Sequence, residues 1–128
     1  MSSEEAKRVL ERHAALSPPP GFLGMLRPFR GVLNEENYHE VMAALRALAD
    51  ELRDDRVDRR LLANLWVICQ LARNWGLAPE AAVQQHGLMT GEQRERLAEW
   101  IDTIGYAAML LLDGQDDETA FEFYERGN

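Results

Sequence analysis

Few residues in this chain could do chemistry, and their spacing decides how much. The histidines are His13, His39 and His86, the one cysteine is Cys69, and the serines are Ser2, Ser3 and Ser17. A metal centre needs several His, Cys or carboxylate groups aimed at one point. The best match is Glu36-x-x-His39, one half of the paired Glu-x-x-His pattern of dimetal helical bundles. The other half is missing, because neither His13 nor His86 follows a Glu by three residues. The spacing better suits a surface pair of His39 with Glu35 or Glu36 on one helix. A lone cysteine can build neither an internal disulfide nor a Cys-based zinc site. Cys69 stands among apolar neighbours, whereas a catalytic thiolate needs exposure and a cationic or His neighbour. The serines sit where helix capping accounts for them.

Phosphate and calcium chemistry fare no better. Neither G-x-G-x-x-G nor G-x-x-x-x-G-K-[ST] occurs, and Gly21-Phe-Leu-Gly24 lies among prolines and bulky apolar residues. The acidic run Asp113-Gly-Gln-Asp116-Asp117-Glu118 puts Gly and Gln where an EF-hand loop needs other residues. Asp116 or Asp117 is expected to cap a helix instead. No catalytic, cofactor-binding or metal-binding residue is therefore assigned. Leu71 to Val83 has the outline of a helix-turn-helix corner, with Gln84, Gln85 and His86 offered to bases. Its apolar register is one residue out, and Arg73 is the only Lys or Arg between Leu61 and Met89. Phosphate contacts need cations. A DNA-binding regulator is a minor alternative, and a helical corner inside the core is the expectation.

The elements that carry these residues read as helices. The chain has 128 residues, a length that suits one domain over 1–128, and 46% of it is hydrophobic. Ala and Leu are abundant while Val, Ile and Thr are scarce, which favours an all-α fold of four to six helices. Ser2 with Glu5 and Thr90 with Gln93 have capping-box spacing. The apolar periods predict helices over about 3–16, 35–54, 58–75 and 90–112. A short helix is expected over about 79–85, with Pro79 at its first position, and a last one carries Ala120, Phe121, Phe123 and Tyr124. The alternation of Phe121 and Phe123 leaves a short extended segment open. The third and fourth long helices are expected at the centre of the fold, with Gly76 as the C-terminal stop of the third. From Ile104 to Leu112 the fourth long helix is apolar all round, so its second half must be buried or at an interface. The longest apolar runs are too short to cross a bilayer, and no basic-then-apolar leader is visible. A cytoplasmic protein with no membrane segment is the expectation.

Two surfaces remain for function. The formal charge is −8, from 22 acidic and 14 basic side chains. Most of it falls in the second half, on Glu92, Glu95, Glu99 and Asp102 and in the tail at Asp116 and Asp117. Such a face suits a basic protein partner. The segment Ser17–Leu33 holds four of the five prolines and joins Phe22, Met25 and Phe29 to Arg27 and Arg30. That is interface-like composition for a partner or a homodimer, unless the loop folds back over the helices. A groove holding a small apolar ligand, lined by Trp66 or Trp75, is a further option. The sequence reading is a non-enzymatic protein-binding module without cofactor, of the general character of small acidic inhibitors (immunity or antitoxin type) or adaptors. A small-molecule binder or an enzyme with an unrecognised site is the alternative. It would bring together groups such as Arg73, Asn74, His39 and Tyr106.

Overall fold

The structure is a computed structural model, and it describes residues 1–127. It is all-α, with four long helices and four short ones among the described residues. The long helices are α1 (Ser3–His13), α2 (Glu35–Ala47), α4 (Arg59–Ala72) and α6 (Gly91–Leu112). The short ones are α3 (Ala49–Arg53), α5 (Ala82–Gln85), α7 (Asp117–Ala120) and α8 (Glu122–Gly127). Phe121 is the turn between α7 and α8 and Phe123 lies within α8, so the tail is not extended.

Caps fix where the helices begin. Ser2 Oγ accepts from the Glu5 N–H, Asn34 from Glu36, Asp58 from Arg60 and Asp116 from Thr119, all between 2.8 and 3.1 Å. Thr90 and Gln93 complete a reciprocal capping box at α6. The first helix ends at His13, four residues before Ser17, rather than running to residue 16.

Two helix ends differ from the sequence expectation. The segment read as one helix over 35–54 breaks at Leu48 into α2 and α3. Leu45, Leu48 and Leu52 stay buried across the break, so the apolar period runs on and conceals it. At the end of α4 the chain does not stop at Gly76 but widens into a π-helical turn over Arg73–Leu77. Gly76 has no positive φ; it is buried, and a Cβ there would overlap Leu97 Cδ2. Its small size serves packing. Pro79 precedes α5 rather than opening it.

The hub is α6, which packs against α2, α3, α4 and α7. Ile101, Ile104 and Leu111 face the interior, where Trp100 lies parallel to Tyr38 at 5.2 Å. α4 is not the central helix. It buries Leu61, Leu65, Ile68 and Ala72 but turns Leu62 and Trp66 outwards.

The Ser17–Leu33 loop folds back and plugs one end. Phe22, Leu23, Met25, Leu26 and Leu33 are core residues. His13, itself fully buried, holds the loop in place. Its Nδ1 accepts from the Phe22 N–H at 2.9 Å and its carbonyl accepts from the Leu23 N–H at 3.1 Å. The proton is therefore on Nε2, which donates to Glu40 at 2.9 Å. Burial and the neighbouring Arg12 hold the imidazole's pKa below its ordinary value, although Glu40 opposes this. Gly21 is required at this approach, since a Cβ would stand 2.9 Å from the Arg12 carbonyl and from His13 Cα.

Charged side chains tie the remaining elements together. Lys7, the one lysine, reaches Glu4, Glu51 and Asp58 at 3.1–3.8 Å and so links α1, α3 and the cap of α4. Arg53 bonds Asp117 and the Gln115 carbonyl, and Arg46 pairs with Glu125, so both hold the tail.

Candidate interaction face

A broad apolar groove lies between α4 and α6. Arg73 pairs with Asp102 at 2.9 Å, and a Cβ on Gly105 would lie 3.9 Å from Cys69 Sγ. The two contacts show that the helices run antiparallel. Towards the other end they leave a groove of about 740 Å³. Ala63, Gly105 and Ala108 are small side chains within it, and Arg59 is the only charged group that lines it. Trp66 is 72% exposed beside the groove, Met109 52% and Leu112 44%. Protein surfaces scatter single apolar residues, whereas these exposed side chains stand together on one face.

Cys69 also lines this groove. Burial pushes its thiol pKa up to about 11, against a smaller lowering by Arg73. It is a half-buried hydrophobe there and not a nucleophile.

The outer face of α6 continues the groove as two lines of residues seven apart. One runs Glu95, Asp102, Met109; the other runs Glu92, Glu99, Tyr106. Residues at that spacing drift only about 20° round a straight helix per step. Each line begins acidic and ends apolar, and every member is exposed. Glu92, Glu95 and Glu99 form no ion pair among the described residues, whereas Asp102 is held by Arg73.

The other candidates from the sequence fall differently. Phe22 and Met25 are buried core residues and present nothing to a partner. Phe29 is half-buried, and Arg27 lies over the Trp75 ring at 4.7 Å. Arg30 is exposed. In the tail, Asp116 caps α7 and Asp117 pairs with Arg53, so both acids hold the fold. Thr119 bonds hold the Asp116 carboxyl below its usual range. Trp66 and Trp75 do not share a groove with the loop: Trp75 meets the loop at Arg27, and Trp66 lies beside the α4/α6 groove.

The groups proposed to converge on a polar pocket stay apart. Arg73 is with Asp102, Asn74 with Gln70, and Tyr106 against Phe123. His39 sits between the Tyr124 hydroxyl at 2.6 Å and Glu35 at 3.6 Å, on the same helix as that carboxylate. Desolvation raises the pKa of Tyr124. No group of three or more metal-ligating side chains converges among the described residues. The helix-turn-helix outline also changes: α5 is a single turn, and Gln84 donates to the Gly76 carbonyl at 2.7 Å. No helix among the described residues is long and apolar enough to cross a membrane.

The exposed half of α4 was present in the sequence as an apolar arc covering more than half the helix. Read as a central position, it was in fact one packed face and one open face. Compared with protein-family models, curated proteins and solved structures, the chain finds no match in any of the three.

Proposed function

We propose that this chain is a non-enzymatic protein-binding module that takes an amphipathic, basic helix of a partner protein along α4 and α6. The exposed apolar groove with Trp66 at its side is the observation that carries this reading. Aromatic side chains bury 150–250 Å² when enclosed, at roughly 25 cal/mol per Å². Covering the exposed part of Trp66 is therefore worth roughly 3–4 kcal/mol before the costs of association.

The shape suits a helix. A groove between antiparallel helices with small side chains along it admits a third helix, read through apolar residues at i, i+3, i+4 and i+7. The charge suits a basic one. Three unpaired glutamates and Asp102 extend the apolar end of α6 by about 15 Å, the rise of ten residues from Glu92 to Asp102. Binding without turnover is how a small acidic inhibitor or an adaptor acts.

A photo-crosslinking amino acid at Leu62, with Arg8 as a remote control, tests this in the native cell. The expected adduct joins Leu62 to an amphipathic, basic segment of one partner, identified by mass spectrometry, and is lost in Met109→Asp. An adduct only with a second copy of the chain, or none above the Arg8 control, would overturn it.

A further inference from the structure

A second hollow lies on α6, roughly 140° round the helix from the groove and towards α8. It measures about 360 Å³ and is lined by Tyr38, Trp100, Tyr106 and Phe123 with Glu99 and Asp102. That volume lies near the lower end of the roughly 300–1,000 Å³ of small-ligand sites.

Its chemistry has one sign. The faces of aromatic rings carry negative charge density and attract cations. Tyr38 and Trp100 are buried and stacked, at 5.2 Å and 11°, and supply a rigid pair of rings. Tyr106 and Phe123 meet edge to face at 4.8 Å and stay 39% and 50% exposed. Glu99 and Asp102 bring two carboxylates to the same hollow. No cationic side chain lines it. Yet two of its walls already draw guanidinium groups of the chain: Arg126 lies 5.5 Å over the Phe123 ring, and Arg73 is 2.9 Å from Asp102.

We propose that this hollow receives an organic monocation, a guanidinium or an alkylammonium group. The exposed rings of Tyr106 and Phe123 supply faces for the cation over a buried floor of Tyr38 and Trp100, and Glu99 and Asp102 supply the counter-charge. The hollow shares Glu99 and Asp102 with the acidic end of the proposed docking face, but small probes test it with no partner present. Two sources share this chemistry: an Arg or Lys side chain of a protein, and a free quaternary amine.

Small probes test it without any partner. N-acetyl-arginine amide, N-acetyl-lysine amide and choline are titrated against the whole chain, followed by NMR at the Trp100 indole N–H. Trp100→Phe assigns that signal among the three tryptophans. N-acetyl-citrulline amide is the neutral control of nearly the same shape as the arginine probe. At least one cation is expected to give saturable shifts at Trp100, with citrulline at least tenfold weaker. The double variant Glu99→Gln, Asp102→Asn is expected to weaken the cation at least tenfold, as is Phe123→Ala. All three substituted positions are exposed, and an unchanged spectrum elsewhere reports an intact fold. Tighter binding of the amide-capped probes points to a protein side chain, and tighter binding of choline to a free amine. The proposal is overturned if no cation gives a saturable shift, if citrulline binds as well, or if the neutralised variant binds unchanged.

Discussion

Replacing His13 by Leu tests how the Pro-rich loop is held. The side chains are similar in bulk, but Leu offers no acceptor. The Phe22 N–H that His13 Nδ1 accepts at 2.9 Å would be left without a partner beside a fully buried ring. An unsatisfied buried donor costs about 1–3 kcal/mol. Glu40 would also lose its bond from Nε2, but its side chain is 40% exposed and keeps Arg12, so that loss adds little. The expected destabilisation is about 1–3 kcal/mol. Urea unfolding followed by circular dichroism measures it at pH 7.5. His13→Asn is the control, because its side-chain carbonyl can take the place of Nδ1. Asn should recover at least about half of the loss. The pH response follows from the same bond. Because the folded pKa lies below the ordinary value, the unfolded chain takes up the proton first. The His13 contribution is therefore complete above about pH 6.5 and is lost as pH falls from there towards the folded pKa. His13→Leu should flatten that part of the profile. A Leu variant within about 0.5 kcal/mol of the parent, or an Asn variant no better than Leu, would refute the account.

Three further outcomes follow from particular contacts. Gly105→Ala should raise stability by about 0.5–1 kcal/mol, since its Cβ meets only Cys69 Sγ at ordinary distance; thermal unfolding checks the sign. Gly21→Ala should lower stability by about 1–3 kcal/mol in the same assay, because the Cβ meets backbone that cannot step aside. Cys69 should react with iodoacetamide at pH 8 far more slowly folded than in urea, with about a thousandth of it as thiolate. Equal rates would show that the thiol is not held as described.

Local chemistry was legible in the sequence because it is encoded within four residues. The capping boxes read at Ser2 and Thr90 and the cap at Asp116 all form. What failed depended on partners far along the chain. Gly76 reads as a stop signal until Leu97 is placed on it. For Phe22 and Met25 the sequence left packed and exposed loops open, and it is His13 that draws the loop inwards. The arc on α4 reads as a central helix because periodicity counts apolar residues but not the faces that neighbours cover. Tyr38 and Phe123 lie 85 positions apart, and no local pattern could have joined them around Glu99 and Asp102.

Lys7 has one more consequence. Its ammonium is the single cation among Glu4, Glu51 and Asp58, and its side chain keeps 26% of its surface in water. An acyl group on that nitrogen would erase the positive charge and leave three carboxylates from three segments facing one another. Like charges brought together without a counter-ion repel, and the helices that carry them would loosen at that corner. Lys7→Gln mimics the change, and greater hydrogen exchange in α3 and the first turn of α4 would report it. With no second lysine to share the role, Lys7 is the one side-chain amine through which acylation would unsettle this corner.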